Sequence, residues 1–211
     1  NKIPREDIFL ISKVNNCNQG YEKTISSFEE SLQRLQTDYL DAFLVHWPGQ
    51  DKERMLDTWK AMEHLYKEGK VKSIGVCNFE ISQLTYLLEH CEIKPMIDQV
   101  EHTPLMHDEK LISFCKENDI QIMAWGPLLR GNLENKKIEE IAEKYKKTTA
   151  QLLLRWNIEQ GIIPIPKSKN EQRLQQNIDV FDFEITKEDM EELNHMNENH
   201  RTSFDPLTFD F

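Results

Sequence analysis

The apolar run Phe43-Leu44-Val45, stopped by His46-Trp47-Pro48, constrains the fold of this chain more than any other stretch. Three continuous apolar residues suit a parallel strand buried on both faces better than a half-exposed antiparallel one. Pro48 cannot extend a central strand, so the strand within Asp41–Pro48 is predicted to stop near His46. In parallel α/β folds the C-terminal strand ends carry the chemistry. His46 and Trp47 are therefore expected at the rim of a pocket.

The pattern recurs along the chain. Ile8 to Lys13 reads as a buried strand, with Asn15, Asn16, Asn18 and Gly20 in the loop behind it. A helix is predicted over Tyr21–Leu35, with Ile25, Phe28, Leu32 and Leu35 on one face. A second helix covers Asp51–Glu68, with Gly69 placed to end it. Val71–Val76 is a strand, Cys77-Asn78-Phe79 a loop and Ile81–Cys91 a helix. Met96–Val100 is a strand, Asp108–Glu117 a helix, and Ile120–Trp125 a strand broken by Gly126-Pro127. Helices over Lys137–Lys146 and Thr149–Glu159 follow, with Thr149 expected as the N-cap of the second and Gly161 ending it. Ile162–Pro166 is a short strand bounded by prolines. Glu171–Asn177 and Lys187–Met196 are helices, the latter capped by Thr186. The tail Asn197–Phe211 has no clear period, and Phe204, Phe209 and Phe211 suggest that it docks on the body.

A chain of 211 residues suits one large domain, without linkers to split it. A net charge of −11 disfavours nucleic acid and anionic membranes as partners. No apolar run approaches the roughly 18 residues of a membrane span. Cys17, Cys77, Cys91 and Cys115 form no CxxC and no zinc spacing, which points to no metal and to a reduced, cytoplasmic protein.

Strand and helix alternate through six units, the signature of βα repeats in a parallel sheet. A doubly wound sheet and a (β/α)8 barrel both fit. The first usually carries a Gly-rich phosphate turn, and this chain has seven glycines but neither GxGxxG nor a P-loop. Polar strand ends are spread over all six units: Lys13, His46, Cys77-Asn78, Gln99–Glu101, Trp125 and Lys167. A ring of strands converging on one mouth accounts for that distribution better.

The segments Phe9–Lys13, Asp41–Pro48, Gly75–Phe79, Asp98–Glu101, Trp125–Leu128 and Ile165–Ser168 continuing to Asn177 closely resemble the aldo-keto reductase family. Each is weak alone, but six in order at strand ends are specific. The tail, with Arg201, Asp205-Pro206 and Phe209-Asp210-Phe211, is similar to the bacterial branch of diketo-gluconate and glyoxal or methylglyoxal reductases. The resemblance implies a (β/α)8 TIM barrel that binds NADPH across its strand C-termini. It implies reduction of small carbonyl substrates, such as methylglyoxal-like aldehydes and keto-sugars, by a protein expected to be a monomer.

Hydride transfer to a carbonyl needs a proton donor and a group that polarises the oxygen. By resemblance, Lys13 is the family lysine that lowers the pKa of a tyrosine acid, and His46 is the histidine that orients the substrate oxygen. Trp47 is expected to line the substrate pocket. Cys77, Asn78 and Gln99 match the residues that hold the nicotinamide carboxamide, with Cys77 a departure from the usual serine. Trp125 replaces the tyrosine that stacks on the nicotinamide, and Gly126 and Leu128 follow it as cofactor contacts. Lys167, Ser168 and Arg173 match the pocket for the 2′-phosphate, and Gln176 and Asn177 the adenine contacts. His102-Thr103-Pro104 departs from the family order and receives no role.

The family lysine lies on the third barrel strand, whereas Lys13 lies on the first strand found here. About six of eight βα units are accounted for. The expectation is a single, incomplete barrel domain over 1–211, opening on Asn1 in place of a Met. The first two units, with the family aspartate and tyrosine, would precede it. Such a chain is expected to be unstable and inactive alone. A rival reading is a non-catalytic barrel that binds nucleotide or a regulatory partner.

Overall fold

The apolar runs form short strands, each paired in parallel with a neighbour in the chain order, in a computed structural model that describes residues 3–211. Two compact units are distinguished. The first holds the residues up to 99 together with 113–121 and 204–211, and the second holds 100–112 and 122–203.

In the first unit, β1 (Ile11–Val14), β2 (Ala42–Val45), β3 (Ile74–Cys77) and the start of β4 (Ile97–Glu101) pair in chain order. They are connected through α1 (Tyr21–Leu35), α2 (Lys52–Lys67) and α3 (Ile81–His90). Every residue of β2 and β3 is buried, as a strand covered on both faces requires. Phe28 of α1 packs edge-on against Phe43 of β2, with ring centroids 5.1 Å apart. Asp51 caps α2 by accepting the Arg54 N–H, and Gly69 leaves it at φ +72°. Glu80 and Gln83 form a reciprocal cap on α3.

Beyond β4 the chain continues through α4 (Glu109–Glu117) to β5 (Gln121–Trp125). In the second unit, β5 pairs with β6 (Ile163–Pro164), placing Met123 opposite Ile163. Around them lie α5 (Lys136–Lys144), α6 (Thr149–Glu159), α7 (Glu171–Ile178) and α8 (Lys187–Asn194). Ile138, Ile141, Leu152, Trp156 and Leu193 form the centre of this unit's core.

Several sequence expectations shift, among them the third strand, which runs Ile74–Cys77 and not Val71–Val76, so that Cys77 ends the strand instead of opening the loop. The first strand starts at Ile11 and not Ile8, because Phe9 is exposed and the Leu10 carbonyl is taken by the N–H groups of Asp41 and Ala42. The last strand shrinks to Ile163–Pro164, since Pro164 and Pro166 have no N–H for a ladder. The N-cap of α6 is Thr148, not Thr149. Its Oγ1 accepts the Gln151 N–H while the Gln151 side chain returns to the Thr148 N–H, a pairing that only the three-residue spacing allows.

Gly75 is where β3 fits between its neighbours. A Cβ there would lie 2.5 Å from the Ile97 carbonyl oxygen and 2.9 Å from Leu44 Cδ2. The backbone oxygen cannot give way without shifting the ladder. Gly75→Ala is expected to destabilise the protein by about 1–3 kcal/mol, measured as a lowered urea midpoint with an unchanged m-value.

Candidate active site

Parallel registry brings four strand ends of the first unit to one level. Lys13 stands opposite Leu44, Val14 opposite Val45, Val45 opposite Val76, and Cys77 opposite Gln99. Side chains from residues far apart in sequence therefore meet. The Lys13 ammonium donates to Gln99 Oε1 at 2.7 Å. The Asn78 N–H donates to the Gln99 carbonyl at 3.1 Å, and Asn78 Nδ2 to the His46 carbonyl at 3.1 Å. Asn78 holds this position in a left-handed conformation, φ +61°, which asparagine tolerates better than most residues.

His46 is half-buried, and burial first, then the Lys13 charge, lowers its pKa below 6.5. It is thus a neutral imidazole at pH 7, with one N–H to donate and one nitrogen to accept. Burial pushes the Cys77 thiol up to about 12, with the Lys13 charge opposing and Asp98 adding to the effect. Cys77 is therefore an un-ionised, weak hydrogen-bonding group. A cation, a neutral imidazole and two amides together can polarise a carbonyl oxygen and bind a planar amide.

Trp47 is buried at 7% exposure beneath the tail. Its ring meets Phe209 at 4.9 Å and Phe204 at 6.1 Å, both edge-on, while Phe204 and Phe209 stack on each other at 4.2 Å. Gln50 Nε2 donates to the Phe209 carbonyl and Gln83 Nε2 to the Pro206 carbonyl, which fastens the tail over Trp47. From the other side, Gln19 Nε2 donates to the Trp47 carbonyl at 2.6 Å. Gln19 was not singled out in the sequence. A glutamine just before Gly20 in a polar loop carries no local signal of a partner 28 residues away.

The second unit holds the remaining candidates. Trp125 ends β5 half-buried, with the Arg130 guanidinium 5.3 Å from its ring centre. Gly126 turns the chain at φ +63°, and Leu128 packs against the core of this unit. Lys167 and Arg173 are exposed and form no salt bridge among the described residues. Ser168 Oγ accepts the Asn170 N–H, and Asn170 caps α7 by accepting the Arg173 N–H. Gln176 is exposed and Asn177 half-buried on the same helix.

His102, left without a role, is buried at 1% exposure and stacked on Trp156 at 4.6 Å, its Nδ1 2.9 Å from Asn157 Oδ1. It is part of the core of the second unit.

The matched family model covers residues 1–198 and is described as the aldo/keto reductase family. The glyoxal reductase of Bacillus subtilis is 48% identical over 205 residues, which is 97% of this chain and 74% of that protein. An aldo-keto reductase from a deep-sea metagenome library superposes with a TM-score of 0.96 at 41% identity, covering all of this chain and 79% of the other. A Bombyx mori aldo-keto reductase solved in complex with NADP superposes with a TM-score of 0.87 at 35% identity, covering 94% of this chain and 71% of that one. The alternating strands and helices thus have the aldo-keto reductase barrel fold, and family membership makes the chain an oxidoreductase. This chain belongs to the aldo/keto reductase family.

The buried imidazole of His102 makes the fold acid-sensitive. Burial, with a smaller effect from His107 and against the Asn157 hydrogen bond, lowers its pKa to about 4. The unfolded chain takes up this proton first, so stability is intact above pH 6.5 and is lost as pH falls from 6.5 toward 4. The loss is expected to reach about 3 kcal/mol. His102→Gln should flatten that part of the stability profile in urea titrations at pH 4 to 7.

Proposed function

We propose that this protein reduces the carbonyl group of small aldehydes, ketoaldehydes and keto-sugars with NADPH. The observation that carries the reading is the Lys13–Gln99 bond, with the neutral His46 and the Asn78 amide at the same strand ends. A purely structural strand end needs neither an ammonium nor an unprotonated imidazole. The glyoxal reductase relative supports glyoxal-like substrates, and the NADP-bound relative supports the cofactor. Membership of a reductase family favours this reading over a non-catalytic barrel.

NADPH, when bound, supplies the hydride for the carbonyl carbon. The His46 N–H would donate a hydrogen bond to the substrate oxygen and the positive charge of Lys13 would stabilise the negative charge developing there, while the proton that completes the alcohol would come from the tyrosine acid that the family resemblance implies. Asn78 and Gln99 hold the carboxamide, which presents both a donor and an acceptor. Lys13, by occupying Gln99 Oε1, leaves the Gln99 amide nitrogen as the donor toward that group. Trp125 offers an indole face for stacking, and the Cys77 thiol packs as a small neutral group. Trp47, under Phe204 and Phe209, shapes the substrate end as part of an apolar wall. Lys167, Ser168 and Arg173 take the 2′-phosphate, with Gln176 and Asn177 against the adenine. In a chain of net charge −11, two cations that form no salt bridge among the described residues are a fit site for a phosphate.

No helix is long and apolar enough to cross a membrane among the described residues. Cys17, Cys77, Cys91 and Cys115 are all free thiols, which supports a reducing, cytoplasmic location. A monomeric, single-domain protein completes the reading, and sedimentation analysis tests it.

NADPH titration followed by tryptophan fluorescence is the direct test. Lys167→Ala with Arg173→Ala should weaken NADPH by about tenfold or more and NADH by less than about threefold. Equal weakening of the two would sink the phosphate assignment. In a protein that also carries the two βα units with the family aspartate and tyrosine, His46→Ala should lower kcat for glyoxal reduction by roughly a hundredfold with little change in NADPH affinity.

A further inference from the structure

The ladder of β2 ends at Val45, and Pro48 has no N–H with which to continue it. The polar backbone groups of His46 and Trp47 are instead met one by one from neighbouring strand ends. The His46 N–H donates to the Val14 carbonyl of β1 at 3.3 Å. The His46 carbonyl accepts Asn78 Nδ2, just past β3, at 3.1 Å. The Trp47 carbonyl accepts Gln19 Nε2, from the loop behind β1, at 2.6 Å. Two side-chain amides thus take over where strand pairing stops, one for each of the two residues.

Gln19 stands on a fixed base. Its own N–H donates to the Asn16 carbonyl, closing the single helical turn Asn16–Asn18. Gly20, the next residue, donates its N–H to Thr58 Oγ1 of α2 at 2.8 Å, and Thr58 donates in turn to the Arg54 carbonyl. Thr24 Oγ1 of α1 donates to the Asn18 carbonyl. The Gln19 side chain is buried at 3% exposure. Its Oε1 has no hydrogen-bond partner among the described residues, so the donor end of the amide is the end in use. Trp47, by contrast, lies in a connection outside any strand.

The Trp47 ring meets Phe209 at 4.9 Å and Phe204 at 6.1 Å, and its centre lies 6.4 Å from that of His46. Aromatic contacts of this kind accept a range of separations, whereas a hydrogen bond fixes both distance and direction. We propose that Gln19 is a positioning residue for the substrate end of the site: its amide holds the Trp47 backbone and so sets where the indole stands beside His46. The proposal rests on reading Trp47 as a wall of the substrate pocket. Asn78 serves the His46 carbonyl and is itself read as a cofactor contact, but Gln19 serves Trp47. Loss of the Gln19 donor is therefore felt by the substrate and not by NADPH.

The test uses methylglyoxal and NADPH with a protein that also carries the two βα units with the family aspartate and tyrosine, its tryptophans replaced by fluorotryptophan. Gln19→Met keeps the length of the side chain but not the donor. It should raise KM for methylglyoxal by about fivefold or more, with kcat and NADPH affinity within about twofold. The fluorine resonance of Trp47, assigned by its loss in Trp47→Phe, should shift while those of Trp59, Trp125 and Trp156 stay in place. Gln19→Asn, whose amide stops a methylene short of the carbonyl, should repeat the pattern, so the result does not hang on the folding of one variant. An unmoved Trp47 resonance with an unchanged KM means that the bond only joins two loops, and the proposal is wrong. A loss of kcat or of NADPH affinity as large as the change in KM means general loosening of the site and overturns it as well. If Trp47→Phe leaves KM unchanged, the reading of Trp47 as a substrate wall fails, while the fluorine resonance still decides whether Gln19 sets the ring.

Discussion

In-register parallel pairing of β1 to β4 is the constraint on which the first unit depends. Parallel strands joined by helices all run the same way, so their C-terminal ends stop at a common level. That level is where Lys13, His46, Asn78 and Gln99 meet. A slip of one residue in any pair would turn the amide or the lysine to the opposite face. Gly75 protects the registry by letting β3 approach Ile97 more closely than any side chain would permit.

Two aspartates in the same unit show how partners decide charge. Asp41 is buried, and burial alone would raise its pKa. The Leu10 N–H, Lys72 and Arg5 outweigh that and hold it at about 2. Its oxygens lie 2.9 Å from both cations. Asp98, on β4, has neither a salt bridge nor a hydrogen bond of normal geometry among the described residues, and burial drives it the other way. The site itself follows the same logic. One cation, Lys13, sits beside an imidazole and a thiol kept neutral by burial, and it forms no salt bridge among the described residues.

Much of the architecture was legible because it is local. Phe43-Leu44-Val45 with Pro48 marked a central strand and its end, and that strand is Ala42–Val45. Gly69 and Thr186 marked helix boundaries that the backbone confirms. The errors were also local. Two adjacent threonines, Thr148 and Thr149, compete for one cap, and the winner is the one three residues before Gln151. The apolar residues Ile8 and Phe9 looked like strand but are exposed ahead of β1.

The sequence by itself determined where strands and helices start and stop, and which polar residues stand at strand ends, because those features rest on side chains only a few positions apart. Tertiary structure alone decided what each polar group meets. Lys13 reaches Gln99 across 86 residues of chain, and Gln19 reaches Trp47 across 28. No local pattern encodes such pairs. They arise from strand order and register, which exist only once the strands have assembled. The same assembly gives donors to Asp41 and leaves Asp98 without a hydrogen-bond partner of normal geometry among the described residues, and so shifts the acidity of two chemically identical residues in opposite directions.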